Sequence, residues 1–115
     1  MEQLNKVEIR GIIGSVRLQE VGDTKVARFT VATNIAYKAK DGCGVIETTW
    51  HNVSAFEGGE IRDLELLTKG SRVHVTGRMR SQSFIGDDGV KRNIHEIFAR
   101  TLSILSEDED LQYQM

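Results

Sequence analysis

Residues 58–70 read Gly58-Gly59-Glu60-Ile61-Arg62-Asp63-Leu64-Glu65-Leu66-Leu67-Thr68-Lys69-Gly70. Ile61, Leu64 and Leu67 recur at every third position. That spacing predicts one apolar stripe of a short helix, since strand side chains repeat on a face every second residue instead. Gly58-Gly59 precedes the stripe, and Gly70 follows it where a left-handed cap would end a helix. On both sides of this segment the period changes to two.

Upstream, Val45–Phe56 predicts a third strand, in which His51, Val53 and Ala55 share one parity and Trp50, Asn52, Ser54 and Phe56 the other. Before it lies a loop, Lys38–Gly44, with Asp41-Gly42 as its turn signal. Lys25–Tyr37 predicts the second strand, with Ala27, Phe29, Val31 and Ile35 on one face and Arg28, Thr30 and Asn34 on the other. Val21-Gly22-Asp23-Thr24 reads as a turn, and Val7–Leu18 as the first strand, interrupted by Gly11 and Gly14. Glycines inside such a pattern mark bulges or tight bends, as small barrels require. Downstream, Ser71–Ile85 alternates again, with Val73, Val75 and Met79 against Arg78, Arg80, Gln82 and Phe84. Gly86-Asp87-Asp88-Gly89 is a hairpin turn, and Val90–Leu105 is the last strand.

Three strands, a short helix and two further strands predict an all-β chain. The order matches a five-stranded OB-fold, a partly open Greek-key barrel that binds oligonucleotides on one face. On pattern alone the alternatives are another small barrel or a sandwich. A chain of 115 residues without proline or a low-complexity linker fits one domain, here residues 1–105, followed by a short acidic tail over 106–115. No apolar run reaches the length of a membrane helix, and the N-terminus has no signal-peptide pattern. The single Cys43 fits a reducing compartment. These features point to a cytoplasmic protein with no membrane partner.

The net charge of −2 argues at first against a nucleic-acid partner, but it is unevenly placed. Glu107, Asp108, Glu109 and Asp110 form one run near the C-terminus, and with those four set aside the basic residues outnumber the acidic ones. The body can therefore carry a basic surface of its own.

The positions of the aromatics decide what that surface does. Trp50 and Phe56 share a parity with Asn52 and Ser54, while Val53 and Ala55 already occupy the apolar face. Phe84 shares its parity with Arg78, Arg80 and Gln82. Core burial is the usual fate of such rings, yet here parity turns them outward, beside cations. Flat rings next to guanidinium and ammonium groups suit stacking of unpaired bases and retention of their phosphates. Trp50, Phe56 and Phe84 are thus candidate stacking residues, with Arg78, Arg80, Lys69 and Lys38 as candidate phosphate contacts. Tyr37 has the parity of Phe29, Val31 and Ile35, and points outward only if its strand bends near the end.

Catalytic patterns are missing. His51, His74 and His95 are dispersed, no Gly-x-Ser-x-Gly elbow or phosphate-cradling Gly-x-x-x-x-Gly-Lys loop occurs, and Cys43 has no neighbouring base. The expectation is a non-enzymatic protein without a cofactor or metal.

Five stretches in order resemble the bacterial single-stranded DNA-binding protein family. They are Asn5-Lys6-Val7 with Ile9 and Gly11, Ala27–Thr33, Thr49-Trp50-His51-Asn52-Val53, Leu67–Met79 with its Lys-Gly-Ser core, and Gly86–Gly89 with the strand after it. The resemblance covers Leu4 to Leu105. It implies an OB-fold, usual assembly as a homotetramer with a dimer as the alternative, and wrapping of single-stranded DNA without strong sequence preference. The family's stacking positions fall on Tyr37, Trp50, Phe56 and Phe84, the first and last often Trp in relatives. Its basic contacts fall on Lys6, Lys69 and Arg80, and His51 matches a position near the family's subunit interface. The long linker and Pro-Phe tip of typical members are not matched by the chain's last residues. That departure implies an accessory or mobile-element paralogue, or a primosomal relative, and leaves tail-mediated protein partners open. An OB-fold protein-interaction module is the alternative function.

Overall fold

The predicted alternation is realised as five long strands in the computed structural model, which describes residues 2–105. They are β1 (Val7–Val21), β2 (Thr24–Lys38), β3 (Gly44–Phe56), β4 (Arg72–Ile85) and β5 (Lys91–Ile104). They close into a barrel in the order β1-β2-β3-β5-β4. Four of the five pairings are antiparallel, and β3 meets β5 in parallel through only Val53↔Ile97 and Ser54↔Phe98. The acidic run Glu107–Asp110 lies outside the described residues.

Alternation places the core as expected. Ile13, Phe29, Val31, Val53, Ala55, Val73 and Val75 are buried together with Ile97 and Ala99 of β5. Burying each of the larger side chains contributes about 1.5–3 kcal/mol. Glycines sit where strands bend hard. Pairing of β1 with β2 shifts register between Ile13 and Ser15, so Gly14 is the extra residue of a bulge. At Gly77, where the pairing of β4 and β5 shifts, a β-carbon would overlap the Phe98 carbonyl oxygen.

The predicted helix is corrected. Between β3 and β4 the chain forms a single 3₁₀ turn, Leu64–Leu66. A repeat of three matches the three residues per turn of a 3₁₀ helix better than the 3.6 of an α-helix. Asp63, at φ 58°, enters the left-handed region just before it and prevents an α-helix from extending back to Ile61. The stripe keeps its packing role, since Ile61, Leu64 and Leu67 are all buried in the core. Gly70, at φ 91°, ends the segment in the conformation its position predicted.

Two hairpin arms extend from the barrel. The β2–β3 arm turns at Ala39–Cys43, where the Ala39 N–H donates to the Cys43 carbonyl at 2.8 Å. The Cys43 N–H donates to the Asp41 side chain at 3.0 Å, which holds the Asp41 carboxyl below the ordinary carboxylate range. The β4–β5 arm turns at Gly86–Gly89, and Arg92 donates to Asp88 at 2.6 Å beside it. Among the described residues, no helix is long and apolar enough to cross a membrane.

Candidate nucleic-acid interface

The outer face of the barrel can be read row by row from the strand register. Arg17 lies opposite Arg28, Arg28 opposite Ser54, Ser54 opposite Phe98, and Phe98 opposite Arg78. One row along, Ser15 lies opposite Thr30 and Thr30 opposite Asn52. Trp50 follows on β3, opposite Ala32.

Trp50 is 59% exposed, although it sits mid-strand. Its indole rests on the Gly14 bulge, where a β-carbon would overlap ring atoms Cζ3 and Cη2. The loop carrying Lys69 is fastened to the same part of β1. The Gly70 N–H donates to the Ile13 carbonyl at 2.8 Å, and the Ile13 N–H donates to the Ser71 carbonyl at 2.9 Å. Bulge, indole and Lys69 loop therefore form one neighbourhood.

Phe56 keeps the predicted face but is not an open ring. It is half-buried and stacks on Phe98, with centroids 5.4 Å apart and planes inclined by 29°. The guanidinium carbons of Arg78 and Arg80 lie 5.3 and 4.9 Å from the Phe98 centroid. Such distances are those of cation–π contacts.

Arg80 is also not a free cation. Its Nη2 donates to Glu96 Oε1 at 2.5 Å, and Ser54 Oγ donates to Glu96 Oε2 at 2.8 Å. Ser54, expected on the solvated face, is instead buried beneath this pair, and Glu96 is only 6% exposed. Burial pulls the Glu96 carboxyl upward. The hydrogen bonds from Arg80 and Ser54, with the fields of Arg80 and Arg28, outweigh that and hold it below the ordinary carboxylate range. Between β3 and β5 an open cleft of about 330 Å³ is lined by Arg28, Asn52, Ser54 and Glu96 among others.

The remaining candidates divide. Asn5 bonds Met79 in both directions and Val7 lies opposite Gly77, so Lys6 falls beside Arg78. Phe84 is 43% exposed on the β4–β5 arm, opposite Arg92 and on the parity of Arg78 and Arg80. Lys38 shares the parity of Trp50 on the β2–β3 arm. Tyr37, 45% exposed, keeps the parity of Phe29 and Val31 beyond the end of the barrel, so register does not bring it to Trp50's face.

Phe98 and Glu96 are absent from the sequence-derived candidates. Alternation along β5 was the available signal, because Ile97 and Ala99 point inward and leave Glu96 and Phe98 outward. His51 is on the inner parity and half-buried, with its Nε2 2.8 Å from Thr33 Oγ1. Burial holds its pKa below the ordinary imidazole value.

A closed five-stranded Greek-key barrel with rings and cations gathered on one face defines an OB-fold of the oligonucleotide-binding class. The chain belongs to the single-strand binding protein family, whose model matches residues 4–105. It is 34% identical to the single-stranded DNA-binding protein 1 of Xylella fastidiosa over 114 residues, covering 96% of this chain and 83% of that one. It is 32% identical to the mitochondrial single-stranded DNA-binding protein of Danio rerio over 117 residues, covering 93% and 80% respectively. A Neisseria meningitidis relative is 34% identical over 106 residues, and the match spans 60% of that protein. Among solved structures, the Plasmodium falciparum SSB complex with ssDNA superimposes with a TM-score of 0.81 at 24% identity, covering 92% of this chain and 98% of the other. That likeness establishes the fold.

Proposed function

We propose that this protein binds single-stranded DNA without strong sequence preference, by stacking bases on aromatic rings and pairing phosphates with cations. Binding of this kind would protect exposed strands during replication, recombination or repair. Family membership supports the substrate class, and its relatives are named for it. The observation that carries the reading is the exposed Trp50 indole, presented mid-strand on a glycine bulge instead of filling the core. Every base has a π-face, so a ring of this kind is tolerant of sequence.

Trp50 and Phe84 act as open stacking rings. Phe56 presents an edge or one face from its stack on Phe98, and Tyr37 offers a further ring on the other face of the β2–β3 arm. Arg78, Lys69, Lys38 and Lys6 hold phosphates. The role is binding, not catalysis, carried out in the cytoplasm near the nucleoid. The chain self-associates, as a tetramer in the family's usual form.

Trp50 is the chain's one tryptophan, so its fluorescence reports directly on the site. Titration with a dT oligomer at two salt concentrations should quench that emission, and affinity should fall as salt rises, with a log–log slope of about −0.7 per phosphate neutralised. Emission that does not respond to the oligomer at either salt overturns the reading.

A further inference from the structure

Two arginines stand side by side on the outer face of β4, but only one is available. Arg80 is engaged on two sides and closed to solvent on a third. Its Nη2 is held by Glu96, its guanidinium lies over Phe98, and its Nε is buried without a hydrogen-bond partner. Arg78 shares the ring, yet among the described residues it takes part in no ion pair. We propose that Glu96 is an internal counter-anion that keeps Arg80 off nucleic-acid phosphate. Arg80 is then a positioning residue for the Phe98–Phe56 stack, and Arg78 is the phosphate contact of this row.

The physical case rests on what exchange would leave behind. A phosphate that captured Arg80 would strand a nearly sealed carboxylate with the Ser54 hydroxyl as its one close donor. Separating the partners of a buried ion pair is heavily penalised, because the remaining charge has lost both water and counter-ion. The phosphate would also have to compete for a guanidinium whose Nε is closed to solvent and whose face is on a ring. An exposed cation such as Lys69 carries none of these constraints. Glu96 is thus an anion already installed at a place where the nucleic acid would supply one. The arrangement lowers the number of phosphates that the face neutralises, and with it the sensitivity of binding to salt.

The inference rests on the single-strand-binding reading, and salt dependence separates the two. Wild type, Glu96→Gln and the double variant Glu96→Gln with Arg80→Gln are titrated with a dT oligomer over a salt series, following Trp50 emission. Thermal unfolding of each confirms that the fold is retained. Glu96→Gln releases Arg80, so its log–log slope should steepen by about 0.7, equivalent to one further phosphate, with tighter binding at low salt. The double variant removes both charges together and leaves neither buried alone. Its slope should equal that of wild type. If the double variant's slope is instead shallower than wild type by about 0.7, Arg80 contacts phosphate in the native protein and the inference is overturned. If Glu96→Gln does not fold, the double variant decides alone. Failure of the wild type itself to bind the oligomer defeats the functional reading and this inference with it, whereas a shallower slope in the double variant defeats this inference alone.

Discussion

The indole of Trp50 lies on the backbone of Gly14, in space that any other residue's β-carbon would claim. A strand bulge on β1 thereby sets the height and tilt of a ring on β3, two strands away.

The ring and its seat can be tested separately. Trp50→Ala should weaken binding of a dye-labelled dT oligomer by about 1–3 kcal/mol, read by anisotropy at fixed salt. Gly14→Ala should weaken it in the same direction by displacing the indole, with circular dichroism showing the barrel intact. Equal affinity in both variants would contradict a stacking role at this position.

Phe98 ties together elements distant in the chain, since it carries Phe56 on its ring and two guanidiniums beside it. Phe98→Leu keeps an apolar side chain but removes the quadrupole. Chemical denaturation should register a loss of about 0.5–1.5 kcal/mol, the contribution of such aromatic contacts beyond buried area. A variant as stable as wild type would show the stack to be incidental.

Gly77 is constrained by backbone, not by a movable side chain, because a β-carbon there would strike the Phe98 carbonyl. Gly77→Ala should therefore cost about 1–3 kcal/mol, as over-packing does, and should lower the melting temperature. Retention of the wild-type melting temperature would mean that the bulge shifts at little expense.

Burial depresses the His51 pKa below its ordinary 6.5, so the unfolded chain takes up the proton first. Stability from this source is fully present above the unfolded pKa and is lost as pH falls through it toward the lower folded value. Melting temperature should decline between about pH 7 and pH 5, and His51→Gln should flatten that part of the curve. Glu96, also depressed, adds its loss only below the ordinary carboxylate range of about 4.5. An unchanged profile in His51→Gln would assign the decline to other groups.

Much of this was legible in the chain. Alternation located the five strands to within a few residues, because each buries one face and solvates the other. The outward parity of Trp50 could be read because Val53 and Ala55 had already claimed the inside. The segment over residues 58–70 was harder, since a stripe of three leucine-like residues does not distinguish a 3₁₀ turn from the start of an α-helix without the left-handed Asp63. The commitments of Arg80, Ser54 and Phe56 were out of reach for a different reason. Those of Ser54 and Phe56 depend on the parallel contact that brings Ser54 to Phe98, and no local pattern in β3 or β5 announces which strand will lie alongside. That of Arg80 depends on the exact register of the β4–β5 hairpin, which sets it opposite Glu96. Charge and aromatic content showed that the face could bind. They did not show which of its cations were already occupied.

The seam between β3 and β5 is two paired positions long. A polymer laid from Trp50 toward Arg78 has to cross it, and would act there as an external suture. Whatever populates the shut barrel then also favours occupancy, so each should raise the other by mass action. In the unliganded state, amide hydrogens at Val53 and Ile97 should be the earliest of the core to exchange, and an oligonucleotide should slow them more than any others.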